Sequence, residues 1–216
     1  MDNPKLKQAG KNNIGLTRDD YLGQPTTLCR GCGHTSIANM IISACFELSI
    51  QPEKIVKFSG IGCSSKSAAY FLGRSFGFNG LHGRMPPLAE GALFADKSLI
   101  GIGISGDGDT ANIGLSHFKH LSRRNLPFVY IVENNGVYGL TKGQASPTLK
   151  LGTQTKSLPN PNINEAVNPI SLAITAGYTF VARSYAFDVM HLKEMIKQGI
   201  RHKGLALIEC LQPCPT

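Results

Sequence analysis

The sequence of 216 residues has no tryptophan, and aromatics of every kind make up only 7% of it. Its basic residues are scattered and are not interleaved with aromatics, so a nucleic-acid surface is not expected. This holds despite a formal net charge of +8, from 22 Lys and Arg against 14 Asp and Glu. Charged residues are scarce as well, at 17% against the ~25% usual in soluble domains. Too few charges to cover a free surface imply that much of it faces a partner chain. No apolar run approaches the ~18–20 residues that cross a membrane. Residues 1–13 are polar and lack the apolar core of a secretory signal. The six cysteines (29, 32, 45, 63, 210 and 214) are therefore expected in a reducing cytoplasm. There disulfides are disfavoured, and metal or cluster ligation competes with plain burial.

What the chain does have is glycine, 24 of 216, about 11% against a usual ~7%. Many backbone positions must turn tightly or approach a ligand closely. Residues 1–27 read as a polar arm broken by Pro4, Gly10, Gly15, Gly23 and Pro25, and 28–216 as one domain. A helical stripe runs over His34–Leu48, and Ala68–Arg74 and Asn112–Arg124 are further expected helices. The apolar runs Ile55–Phe58, Leu99–Ile104, Phe128–Val132 and Leu205–Cys210 read as buried strands, and Asp188–Ile200 as a helix capped by Asp188. Thr141–Asn168 is a long loop, of the kind that is functional or meets a partner. Strands alternating with helices predict an α/β fold with a doubly wound, mostly parallel sheet.

Gly106-Asp-Gly108 closes one expected strand, and Asn134-Asn135 closes the next, across a single strand–helix–strand unit. Both loops then lie at the carboxyl edge of the sheet, where ligands bind. The glycines let backbone amides approach phosphate oxygens beside a helix N-terminus. Asp107, the Asn135 amide oxygen and a nearby backbone carbonyl are hard oxygen donors of the kind Mg²⁺ shares with a diphosphate. His82 and Arg84, in a Gly-flanked segment ending Pro86-Pro87, are candidate contacts to cofactor or substrate.

Cys29-x-x-Cys32 by itself fits zinc, redox or cluster chemistry. Zinc would want a second such pair or a histidine pair, and none is present. Cys63 follows one expected strand and Cys214 another, so parallel strands would bring both to the same carboxyl edge. Four thiolates are the complement of a 4Fe–4S cluster. Cys45 falls on the apolar stripe of a helix and Cys210 inside a strand, which reads as core. Cys210 is the rival to Cys214 as fourth ligand, and Cys214 is preferred because it lies past the strand end, between Pro213 and Pro215.

Gly106-Asp-Gly108 followed after 25 residues by Asn134-Asn135 resembles a thiamine diphosphate-binding motif. Cys29-Arg-Gly-Cys-Gly-His34, Gly60-Ile-Gly-Cys-Ser-Ser-Lys66, Leu81-His-Gly-Arg84 and Tyr138-Gly-Leu-Thr-Lys-Gly-Gln144 look like the β subunit of 2-oxoacid:ferredoxin oxidoreductases, from residue 28 onward. The resemblance implies the thiamine diphosphate-binding fold. It implies Mg²⁺ on Asp107, Asn135 and the Val137 carbonyl, and a diphosphate end lined by Ile61, Gly62, Cys63, Ser64, Gly108, Asp109, Gly139 and Leu140. It places Cys29, Cys32, Cys63 and Cys214 at the cluster ligand positions. Its partners are an α subunit, ferredoxin and coenzyme A. The α subunit would also supply the carboxylate that activates the cofactor, a role for which neither Glu90 nor Glu133 is placed by spacing. The Lys66 and Leu81–Arg84 segments look closest to the 2-oxoglutarate branch, with Lys66 and Lys142 as candidate contacts to a distal carboxylate. A pyruvate or broad 2-oxoacid enzyme, or a non-redox thiamine decarboxylase, are the alternatives.

Overall fold

The computed structural model describes residues 10–215, so the first nine residues of the expected arm lie outside the described residues. The chain runs through helix His34–Glu47 (α1), strand Ile55–Ser59 (β1), the short helix Cys63–Lys66 (α2), strand Phe76–Asn79 (β2) and helix Met85–Ala95 (α3). Strand Ile100–Gly106 (β3), helix Leu115–Arg124 (α4) and strand Phe128–Asn134 (β4) follow, then the two-residue strands Val137–Tyr138 (β5) and Gln144–Ala145 (β6). Helix Pro169–Ala176 (α5), strand Phe180–Tyr185 (β7), helix Val189–Arg201 (α6) and strand Leu205–Leu211 (β8) complete it. Six strands form one sheet in the order β2-β1-β3-β4-β8-β7, and every neighbouring pair is parallel. The expected doubly wound parallel sheet is present.

Parallel strands need both faces covered, and two apolar layers do this. One joins Ile37, Ile41 and Ile42 of α1 and Leu192 and Ile196 of α6 to Ile102, Ile104 and Ile208. The other joins Met85, Ala89 and Leu93 of α3 and Phe118 and Leu121 of α4 to Phe58, Phe128 and Leu207. The Ile-Gly-Ile-Gly-Ile run of β3 serves both layers. Side chains alternate along a strand, so its isoleucines fill the first layer. On the other face a Cβ at Gly103 would collide with the Phe128 ring and with Met85, so glycine there lets large side chains close over the strand.

Three segments read from the sequence are built differently in the structure. Ala68–Arg74 is not a helix: after α2 a 3₁₀ turn covers Ser67–Ala69 and Leu72 takes φ 46°. The carbonyls a helix would have used are captured instead by buried Lys57, whose Nζ donates to Ala68 O (2.9 Å) and Phe71 O (2.8 Å). Burial pushes that ammonium down to about 8. Pro86-Pro87, read as the end of a segment, opens α3, because proline is tolerated in the first turn where its missing N–H costs no bond. Asn112–Arg124 is split, with a π turn at Asp109–Ile113 before α4. The arm is tied to the domain by Tyr21, which is fully buried in the first core layer and donates to Ile50 O at 2.8 Å. Among the described residues no helix is long and apolar enough to cross a membrane.

Candidate active site at the carboxyl edge of the sheet

β1, β3, β4 and β8 all end on one side, and the chain after each of them helps build a single cluster of loops. The order of the strands reverses between β1 and β3, the place where doubly wound sheets open a crevice. A cleft of about 120 Å³ lies there. Ile61, Gly62, Cys63 and Ser64 line it from β1, Gly106 to Asp109 from β3, and Asn135 and Val137 to Thr141 from β4, with His82 between. Every residue expected at the diphosphate end is thus on its wall. Its volume is well below the ~300–1,000 Å³ of a complete cofactor pocket.

Asp107 is 1% exposed. Thr148 Oγ1 donates to its Oδ2 at 2.5 Å, Ser146 Oγ donates to the same oxygen, and the Asn135 amide approaches Oδ1 at 3.5 Å. Burial raises its carboxyl pKa and these donors oppose the rise. Asn135 Oδ1 accepts from the Val137 amide at 3.0 Å, which turns the chain after β4 through Gly136, at φ 76°. Asp107, Asn135 and Val137 all line the cleft, and an acid, an amide oxygen and a backbone carbonyl are a donor set that fits a hard cation sharing a ligand's oxygens. Ser146 and Thr148 escaped sequence reading: they lie in the long loop, 39 and 41 positions from Asp107, with no periodic signal.

Asp109 holds the opposite wall together. Its carboxylate accepts from the Gly83 amide (2.7 Å), from Ser105 Oγ (2.5 Å) and, at 3.5 Å, from the Ile61 amide. His82 Nδ1 touches Oδ1 of the same group, and its ring meets Tyr138 edge-on. A Cβ at Gly60 would overlap the Asp109 carboxyl, so that glycine is needed for the loop to close. Tyr138 packs over Gly108 and donates to its carbonyl at 3.2 Å. Lys66 and Arg84 are not on the cleft wall. Lys66 is exposed and its Nζ donates to Thr27 Oγ1 at 3.1 Å, while Arg84 caps α3 and reaches Ile113 O at 3.4 Å. Lys142 is exposed with φ 81°.

The cysteines divide into two groups. Cys45 and Cys210 are fully buried among core side chains, and burial pushes Cys45 up to about 12 and Cys210 higher still. Cys29, Cys32, Cys63 and Cys214 gather at the loop edge. A Cβ on Gly139 would lie 3.3 Å from Cys214 Sγ and 3.8 Å from Cys63 Sγ, so both sulfurs sit over a backbone that lines the cleft. The Cys63 thiol is raised first by burial, then by the charges of Cys214, Cys29 and Cys32, which places all four within electrostatic reach. Among the described residues no three His, Cys, Asp or Glu side chains close tightly enough to cage a single metal ion. A cube-shaped cluster holds its thiolates farther apart than one ion does, so four spaced thiols, two of them over Gly139, fit the larger group.

Behind the thiols is a buried polar network. His34, 3% exposed, has Nδ1 3.1 Å from Cys32 Sγ. Its Nε2 is 3.0 Å from Gln212 Nε2, 3.4 Å from Ser64 Oγ and 3.5 Å from Glu133 Oε2. Burial takes His34 down to about 4 and lifts Glu133 well above its ordinary value, so burial favours the uncharged form of each. Ser64 and Ser67 temper the Glu133 shift, but neither carboxyl oxygen has a well-formed hydrogen bond. No pattern in the sequence announced this network, because its partners come from distant segments.

This fold, with an acid–amide site at the strand switch point, defines a thiamine diphosphate-dependent enzyme domain, and residues 60–210 match the family described as thiamine pyrophosphate enzyme, C-terminal TPP binding domain. The chain is 56% identical over 188 residues to a 2-oxoacid:ferredoxin oxidoreductase subunit beta of Saccharolobus solfataricus, covering 87% of this chain and 62% of that one. It is 39% identical over 199 residues to a 2-oxoglutarate synthase subunit KorB of Methanocaldococcus jannaschii, covering 92% of this chain and 72% of that one. A solved 2-oxoglutarate:ferredoxin oxidoreductase from Magnetococcus marinus, with 2-oxoglutarate, coenzyme A and succinyl-CoA bound, superposes with a TM-score of 0.90 at 36% identity, over 96% of this chain and 70% of that one. The chain belongs to the 2-oxoacid:ferredoxin oxidoreductase β-subunit family. It spans about three fifths of the length of the Saccharolobus relative.

Proposed function

We propose that this chain, with an α subunit, converts a 2-oxoacid and coenzyme A to an acyl-coenzyme A and CO₂, passing electrons one at a time through a 4Fe–4S cluster to ferredoxin. Bound thiamine diphosphate supplies the electron-accepting centre that decarboxylation needs, and the cluster supplies one-electron transfer. Asp107, Asn135 and the Val137 carbonyl would hold Mg²⁺ against the diphosphate. Ile61, Gly62, Ser64, Gly108, Asp109, Gly139 and Leu140 would line that end. Cys29, Cys32, Cys63 and Cys214 would ligate the cluster. His82, held against Asp109, lies on the cleft wall, where it would contact cofactor or substrate.

The observation that carries this reading is Gly139. It lies on the cleft wall beside the acid–amide site, and the sulfurs of Cys63 and Cys214 stand over it. The small cleft has room for one end of the cofactor, so the rest would lie against the partner. Phe76, Phe78, Leu81 and Phe94 are more than half exposed on and near β2, an edge strand of the sheet. An apolar edge of that kind is normally covered, which supports a large contact with the α subunit. Anaerobic purification of the αβ enzyme, with iron, acid-labile sulfide and thiamine diphosphate quantified, tests it. About four iron and four sulfide per β chain are expected. Zinc or no metal would leave a non-redox thiamine enzyme.

The finer reading is 2-oxoglutarate to succinyl-coenzyme A, supported by the relatives named for that substrate. A broad 2-oxoacid range is the second reading, favoured by the higher identity to a relative named for 2-oxoacids in general. Lys66 adds little to the first reading while its ammonium rests on Thr27. Arg84 stays a substrate candidate only if a partner or ligand draws it from Ile113. Comparing kcat/KM for pyruvate, 2-oxobutyrate and 2-oxoglutarate separates the two.

A further inference from the structure

His34 opens α1 two residues after Cys32, and its side chain folds back so that Nδ1 lies 3.1 Å from the Cys32 sulfur. The other ring nitrogen is held from three other elements: Gln212 beyond β8, Ser64 in α2 and Glu133 at the end of β4. The loop can bring the ring to this place because Gly33 takes φ 90° and passes against Ala186 and Gln212, with no room for a Cβ.

The direction of the bond follows from the partners. A cysteine that ligates iron has no proton to give, so Nδ1 must carry the hydrogen and the sulfur must accept it. Nε2 is then the acceptor, and the Gln212 amide, placed with its nitrogen 3.0 Å away, is a donor. That tautomer is matched by a group just beyond β8, and the ring is shut off from water, where a hydrogen bond acts with little screening. Hydrogen bonds to cluster sulfurs are among the factors that set its potential. A reduced cluster holds one more electron than the oxidised one, so the positive end of an N–H dipole stabilises the reduced form more.

We propose that His34 is a positioning residue that donates a hydrogen bond from Nδ1 to the Cys32 thiolate and so raises the reduction potential of the cluster. This rests on the cluster reading above, and the test separates the two. In the αβ enzyme purified anaerobically, iron and sulfide are counted first, and the midpoint potential is then measured by EPR-monitored redox titration for wild type, His34→Leu and His34→Asn. His34→Leu should keep its iron and titrate more negative by about a tenfold change in the oxidised-to-reduced ratio, which for a one-electron couple is about 59 mV. His34→Asn, whose amide can still donate to the sulfur, should recover half or more of that shift. Equal potentials in all three at full iron content would overturn the proposal. If His34→Leu fails to hold iron, pulsed EPR of the reduced wild-type enzyme carrying isotopically labelled imidazole nitrogen decides. A coupling to the labelled ring supports the bond, and its absence overturns it. A wild-type enzyme without about four iron per chain overturns the cluster reading itself.

Discussion

Cys45 and Cys210 differ from the other four cysteines in environment rather than in chemistry. Cys45 sits on the stripe of α1 and Cys210 inside β8, both fully buried among isoleucines and other apolar side chains. The four at the loop edge follow the ends of strands or precede a helix, share their surroundings with one another, and are ringed by glycine, serine and histidine. A thiol raised to about 12 by an apolar shell is inert near neutral pH, because the reactive species is the thiolate. Four thiols gathered at the loop edge are the set that the proposed cluster would use. Position relative to the strand ends decides which kind of cysteine each one is. Cys210 and Cys214 make the point within one segment, four residues apart on either side of the end of β8 at Leu211.

The largest expected effect breaks that division directly. Cys63→Ser in the αβ enzyme should lower iron from about four per β chain to below one, while the far-ultraviolet circular dichroism stays near wild type. Cys210→Ser should keep its iron. Iron lost from Cys210→Ser but kept in a Cys214→Ser variant would make the strand residue the fourth ligand and dissolve the contrast.

The acid–amide site on the same edge offers the next test, between a residue that would touch the metal and residues that only hold it. Asp107→Ala should abolish Mg²⁺-dependent binding of thiamine diphosphate, measured by titration calorimetry with the α subunit present. Ser146→Ala and Thr148→Val remove the donors to Asp107 Oδ2 and should weaken that binding by about 10–100-fold, the range seen when partners of metal ligands are lost. Unchanged affinity in Asp107→Ala would remove the metal assignment. Unchanged affinity in both supporting variants would mean that the loop does not orient the acid.

Thiol reactivity sharpens the contrast more gently. In protein stripped of iron, mass spectrometry after brief alkylation at pH 8 should find Cys29 labelled first, since it is exposed, with Cys63 and Cys214 following. Cys45 and Cys210 should be labelled only after denaturation. Early labelling of Cys45 would show that the α1 face opens in solution more readily than its packing implies.

Much of this arrangement was legible because two periodicities do most of the specifying. The apolar runs of β1, β3, β4 and β8 are buried on both sides, so they read as continuous hydrophobic stretches, and their loops carry the Gly, Asp, Asn and Cys that mark the site. β2 was missed because it is a short, exposed edge strand containing Gly77, and α5 and β7 because the Pro- and Asn-rich stretch before them hid their start. The false helix at Ala68–Arg74 shows a tertiary interaction overriding local preference, since Lys57 on β1 takes the carbonyls that a helix would have used. The network of His34, Glu133 and Gln212 was illegible for a similar reason. Its members are up to 178 residues apart and meet only once the sheet is assembled.

The smallest expected effect asks whether Cys45 is in truth a small hydrophobe. If it is, Cys45→Ala should lose only the contacts of one sulfur and destabilise the domain by about 1 kcal/mol, near the cost of removing one buried methyl-sized group. Cys45→Ser keeps the size but places a hydroxyl in an apolar layer, where an unpaired polar group costs about 1–3 kcal/mol. A serine within α1 can bond back to the Ile41 carbonyl one turn earlier, which trims that cost without removing it. Serine should therefore be the worse replacement despite being the closer in shape, as read from urea unfolding of the two variants. The reverse order would mean that the Cys45 site tolerates a polar atom. The line between core and edge cysteines would then have to be drawn by ligand geometry alone.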